Sequence, residues 1–193
     1  MLTLLAVTVL AADPRPPAAS PADPLVVVGP FTVSDPANAP LSRSMQSVLE
    51  FDLRTNGMNV RTDDDLDSKQ WGKIKGATHI AVGNVLVMGD TLRLTVRIVG
   101  TRDQLLHGGG KANGLDDREK LVHAVFIYTG VPTPMKFTLL KVNKELLMQW
   151  GEALEALHSG DPADAKKKVQ AVAGKWPDFG PARERLQQLG VTK

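Results

Sequence analysis

The chain has no cysteine. That excludes disulfides, thiolate nucleophiles, thiolate-ligated zinc and a lipid anchor on a cysteine behind a leader. Aromatic residues make up only 5% of 193 positions, with one tyrosine, so the stacking platforms of a single-strand nucleic-acid binder are missing. Charge of one sign is also scarce in excess. The net charge is +2, with 13 basic against 14 acidic side chains over residues 1–129 and 10 against 7 over 130–193. This is too even for a phosphate-binding surface, and nucleic acid is not an expected partner. Long apolar runs are missing too: Leu2–Leu10 is nine residues, too short to cross a bilayer as a helix, so no integral membrane span is expected.

What is present is a globular composition, 42% hydrophobic, enough for one ordinary core with a small appendage. Leu2–Leu10 is followed by Ala11-Ala12, small residues of the kind that precede leader cleavage, and then by Asp13-Pro14. Residues 1–12 therefore read as a secretory signal without a lipidation cysteine, and the expected location is periplasmic or secreted. Residues 13–24, DPRPPAASPADP, read as an extended Pro- and Ala-rich linker.

The most informative stretch is Thr78–Val99, two alternating strands joined at Gly89-Asp90. A two-residue loop with Gly first suits a type II′ turn. That turn pairs Val87 with Leu92, Val85 with Leu94, Gly83 with Val96 and Ala81 with Ile98, making one face continuously apolar. The other face sets Ile80, Val82, Asn84, Leu86 and Met88 beside Thr91, Arg93, Thr95 and Arg97.

Around this hairpin, Leu25–Val28 reads as a central strand covered on both faces. Leu41, Met45, Val48, Leu49 and Leu53 give a helix stopped by Asn56-Gly57. A short strand is expected within Met58–Thr62. A second helix carries Leu66, Trp71 and Ile74, with Thr62 and Asp63–Asp65 as candidate caps. A third opens at Asp116-Asp117. Residues 25–129 are therefore expected to form an α+β domain with a mixed sheet in the order βαβαββ(β)α, the bracketed strand lying around Gln104–His107. Residues 130–144 form a connector broken by Gly130, Pro132 and Pro134. Residues 145–193 form a helical hairpin, turning at Gly160-Asp161-Pro162, plus a capping helix.

The order of these elements, with LVVVGPF opening, DDLDSKQWGKIKGATHIAVGNV in the middle and DTLRLTVRIVGTRDQ closing, resembles the amino-terminal domain family of the periplasmic protein TolB. The chain departs from that family at His107–Gly114, HGGGKANG, where relatives carry a more regular strand with an aromatic residue. Residues 146–179 resemble one tetratricopeptide repeat: Ala153 and Ala165 fall on its small positions, Gly160-Asp161 on its turn and Pro177 on its terminal proline. A single repeat cannot bury its own face. It must dock on the first domain or stack on another chain, which makes self-association through the hairpin an expectation.

Candidate chemistry is thin. The run His107–Lys111 lacks the spacing and the Ser or Thr of a phosphate loop, and no G-x-S-x-G elbow accompanies it. Asp63, Asp64, Asp65 and Asp67 lack the spaced glycine and distal glutamate of a calcium loop. The four histidines show no zinc spacing, and Ser42, Ser44 and Ser47 read as solvated helix residues. Lys166, Lys167 and Lys168 read as a solvated helix face. No catalytic residue, cofactor or metal ligand is therefore nominated. The candidate partner contacts are Arg93, Arg97 and Trp150, the last an anchor if partly exposed and otherwise a core residue. The expected function is a non-enzymatic, exported interaction module, an adaptor or assembly component of the bacterial cell envelope with a protein partner. The alternative is a small-ligand sensor with a cleft near His107–Lys111.

Overall fold

A computed structural model describes residues 24–66 and 73–190. The expected leader, nearly all of the linker and the middle of the expected second helix, with Asp67 and Trp71, lie outside the described residues. The fold is α+β with a mixed sheet. Its strands are β1 (Val26–Val28), β2 (Thr32–Val33), β3 (Val60–Thr62), β4 (His79–Met88), β5 (Thr91–Gly100) and β6 (Leu106–Asn113). Five α-helices lie among the described residues: α1 (Leu41–Thr55), α2 (Glu119–Thr129), α3 (Lys144–His158), α4 (Pro162–Lys175) and α5 (Gly180–Gln188).

The sheet order is β3-β1-β4-β5-β6, with β2 also on β4. β1 is parallel to β3 and β4, whereas β4, β5 and β6 run antiparallel. The β4–β5 register is the one the alternation requires: Val87 opposite Leu92, Val85 opposite Leu94, Gly83 opposite Val96 and Ala81 opposite Ile98. At the turn Gly89 takes φ +58°, and Asp90 is not among the positive-φ residues, as a type II′ loop requires. Val26, Val27 and Val28 are each fully buried, because β1 is central and covered on both sides.

The strand expected around Gln104–His107 begins at Leu106 and runs on through the glycines. Gly108, Gly109 and Gly110 lie inside β6, despite glycine's poor strand propensity. The reason is the close approach of α2: a Cβ on Gly108 would sit 2.2 Å from the Tyr128 ring, and one on Gly110 2.9 Å from both Ala124 Cβ and Lys120 O. Bulkier residues there would push the helix off the strand.

Because β1, β3 and β4 are parallel, with β3 and β4 on opposite sides of β1, two right-handed crossovers must run over opposite faces. α1 makes the first. Leu66 marks the second, lying against Gly29 and Val82. On the α1 side a continuous core joins Val28, Val85, Leu94 and Ile98 of the sheet to Met45 and Leu49, to Leu121 and Val125, and on to Leu147, Trp150, Val169 and Ala182.

α1 is thus packed on two sides, and this overturns the reading of its serines as solvated. Ser44 is fully buried and donates to Pro40 O at 3.1 Å. Ser47 accepts from Trp150 Nε1 at 3.1 Å. α3 approaches so closely that a Cβ on Gly151 would lie 1.9 Å from Pro40 O. The apolar face expected to invite a second copy is filled from within the same chain. At its start α3 is capped by Asn143, whose Oδ1 accepts from Leu146 N at 2.8 Å, and Asp161 caps α4 through Asp164 N at 3.0 Å.

Candidate functional site

The sheet face opposite α1 and α2 carries a run of exposed side chains among the described residues. β4 contributes Val82, Asn84, Leu86 and Met88 to it, β5 contributes Arg97, Thr95, Arg93 and Thr91, and β6 contributes Gly109, Lys111 and Asn113. Register sets these in rows: Val82 beside Arg97 and Gly109, Asn84 beside Thr95 and Lys111, Leu86 beside Arg93 and Asn113. Strand period then places successive rows about 6.8 Å apart. Two columns result, one apolar at the end of β4 and one cationic along β5.

Leu86 and Met88 are 37% and 47% exposed, and Arg93, Arg97 and Lys111 are all exposed. Arg93 Nε donates to Asn113 Oδ1 at 3.4 Å, a long, weak bond. Among the described residues these three cations have no carboxylate within ion-pair distance, a state they share with other surface cations such as Arg61, Arg102 and Lys141, whereas Arg43, Arg54 and Arg118 are paired. Beside Leu66 the face dips into an open cavity of about 640 Å³ lined also by Pro30, Thr32, Val82, Asn84, Thr95 and Arg97. Its polar groups are an amide, two hydroxyls and one guanidinium over an apolar floor, a set that recognises an anion attached to an apolar body.

Of the three candidate contacts, Arg93 and Arg97 lie together on this face. Trp150 does not, and its candidacy is corrected: it is 1% exposed, its indole stands edge-on to Phe179 with ring centroids 5.5 Å apart, and its N–H is satisfied by Ser47. Buried Trp with a bonded N–H is a packing anchor. Sequence reasoning missed Lys111, whose place opposite Thr95 becomes visible only once the glycine run is recognised as a strand.

At the opposite end of β4, His79 meets His107 edge to face at 5.2 Å, and His107 Nε2 lies 2.9 Å from Asp103 Oδ2. Burial, and then the charge of His107, holds the His79 imidazole below its ordinary value, with Asp103 opposing. The Leu105 N–H, followed by His107, holds the Asp103 carboxyl down. Among the described residues no three His, Cys, Asp or Glu side chains converge to hold a metal ion. The α2-facing side of Gly108 and Gly110 is filled by that helix, so the cleft expected near His107–Lys111 does not form on that side.

No protein-family model matches the chain. In sequence it is 29% identical over 144 residues to the large ribosomal subunit protein uL6 of Streptococcus suis, across 72% of this chain and 78% of that protein. Among solved structures it is similar to the PelC dodecamer from Paraburkholderia phytofirmans, at 17% identity and a TM-score of 0.39, over 56% of this chain and 81% of that one. It is similar to lipoprotein GNA1162 from Neisseria meningitidis at 18% identity and a TM-score of 0.36, over 50% and 84% of the two chains. TolB from Acinetobacter baumannii is similar at 12% identity and a TM-score of 0.31, over 74% of this chain and 29% of TolB. At such identities and TM-scores these are likenesses and not a family assignment, and the functional reading rests on the chain's own residues.

Proposed function

We propose that this chain is a non-enzymatic interaction module of the bacterial cell envelope that receives a protein partner on the face of β4, β5 and β6 opposite α1 and α2. One observation carries the reading: exposed Leu86 stands directly opposite Arg93, with exposed Met88 in the next row and exposed Arg97 two rows the other way, opposite Val82. An apolar strip flanked by unpaired arginines matches the composition of a partner-binding centre. The envelope location rests on Leu2–Leu10 and Ala11-Ala12 as an export leader.

The test is crosslinking of the affinity-tagged protein in its native host, followed by fractionation and N-terminal sequencing. The expected result is a processed N-terminus outside the cytoplasm and one specific protein crosslinked through β4 or β5. An intact Met1 in the cytoplasm, or cosedimentation with ribosomes, would overturn the proposal. A second reading, a small-ligand module, is favoured by the cavity at Arg97. It predicts a ligand-dependent rise in melting temperature with no crosslinked protein.

A further inference from the structure

Resting on the reading of this face as a partner surface, we infer that the segment it receives is an acidic, extended stretch of polypeptide, one carboxylate of which enters the cavity at Arg97. The argument begins with spacing. Arg97, Thr95 and Arg93 are alternate residues of one strand, so the two guanidinium stems rise about 13–14 Å apart. Lys111 stands opposite Thr95 between them. An extended peptide lying along β5 projects alternate side chains at the same period of about 6.8 Å. Acidic side chains at every second position would therefore meet Arg97, Lys111 and Arg93 in turn. The intervening side chains would point away from the sheet, and an apolar side chain one same-face position beyond the acidic residue at Arg93 would lie over the Met88 row.

Chemistry narrows the partner further. In the cavity the Arg97 fork can hold a carboxylate through two parallel N–H bonds, and the Asn84 amide and the Thr32 and Thr95 hydroxyls line the same space. Among the described residues that line this cavity, none is acidic. A nucleic-acid strand fits less well. Among the described residues the face offers three cations and no aromatic ring for base stacking, while Leu86 and Met88 would be left against phosphates.

The probe is a labelled peptide with Glu at alternate positions and Val between them, set beside its Gln counterpart and followed by fluorescence anisotropy with the full chain. The expected result is binding of the Glu peptide about tenfold or more tighter than the Gln peptide, weakening as salt rises. Arg97→Ser and Arg93→Ser should each weaken it several-fold, with unchanged melting temperatures because both side chains are exposed. Equal binding of the Gln peptide, or undiminished binding by the double variant, would overturn the inference. So would competition by free glutamate or inorganic phosphate at the peptide's own concentration, which would mark a small-anion site. If native crosslinking recovers a partner that the Arg93→Ser/Arg97→Ser variant captures equally well, the acidic-segment inference fails and the interaction module stands. If the peptide binds selectively but no protein is ever crosslinked, the interaction module is what fails.

Discussion

Arg118 donates from Nε to Asp52 Oδ2 at 2.6 Å, with side chains only 3% and 0% exposed, across 66 residues of sequence. The pair is a junction. Arg118 Nη1 reaches Leu115 O at 3.1 Å and Nη2 reaches Leu140 O at 2.5 Å, while Leu140 N donates to Asp52 Oδ1 at 2.9 Å. One turn on, Asn56 exchanges bonds with Thr138 N and O, each at 2.8 Å. The end of α1 thereby holds both the entry to α2 and the connector to α3. Burial pushes the Asp52 carboxyl up, against the charge and hydrogen bond of Arg118 and the Leu140 N–H.

Asp52→Asn leaves a buried guanidinium without its counter-charge and should cost about 3–5 kcal/mol. An Asp52→Leu/Arg118→Met double variant removes both charges and should recover most of that loss. Urea denaturation of the three proteins checks it. A double variant no more stable than the single one would show that the connector's hydrogen bonds, and not the unpaired charge, set the cost.

Gly83 faces Phe31 so closely that a Cβ would lie 2.1 Å from its ring. Gly83→Ala should therefore destabilise by about 1–3 kcal/mol through overpacking. Phe31→Leu in the same chain should return part of that loss, and a thermal-melt cycle over the four proteins measures the coupling.

His79 supplies a pH dependence whose sign follows from its surroundings. The ordinary value of 6.5 applies to the unfolded chain, and the folded value lies below it. Between the two the unfolded chain binds more protons, so stability is complete above pH 6.5 and is lost as pH falls from 6.5 towards the folded value. His79→Gln should flatten the decline in denaturant midpoint between about pH 7.5 and 5.5. An unchanged slope would assign the decline to other groups.

Trp150→Ala should cost about 3–5 kcal/mol, as expected for a fully buried aromatic. Asn143→Ala, which removes only the cap of α3, should cost about 1 kcal/mol. Calorimetry that ranked the cap above the indole would contradict the placement of Trp150 as an anchor.

These sites differ in how visible they are in a linear chain, and the reason is range. The β4–β5 register was legible because Gly89-Asp90 and strict alternation are local signals that agree with each other. The ends of α1, α2 and α3 were legible for the same reason, through Asn56-Gly57, Gly130 and Gly160. Asp52 and Arg118 carry no such mark. Two charged residues become a buried pair only when three distant segments converge. The glycines of β6, and Gly83 and Gly151, carry no local mark of their role, which is an absence of side chain where another element arrives. At the candidate site, Arg93 and Arg97 were readable from strand period, but Lys111 and the cavity needed the neighbouring strand and the crossover. Trp150 was open to two readings, core or interface anchor, because a helical stripe shows what is apolar, not which neighbour covers it.

The two-sided packing of α1 has a consequence for synthesis. Ser47 leaves the ribosome 103 residues ahead of the Trp150 that bonds to it, an interval of roughly 5–20 seconds at ordinary elongation rates. Throughout that time the sheet-facing side of α1 can find its strands, but its outer side has nothing to meet. The nascent chain is therefore a natural client for a holding chaperone, and a chain ended within the connector at 131–143 would leave that outer side exposed for good.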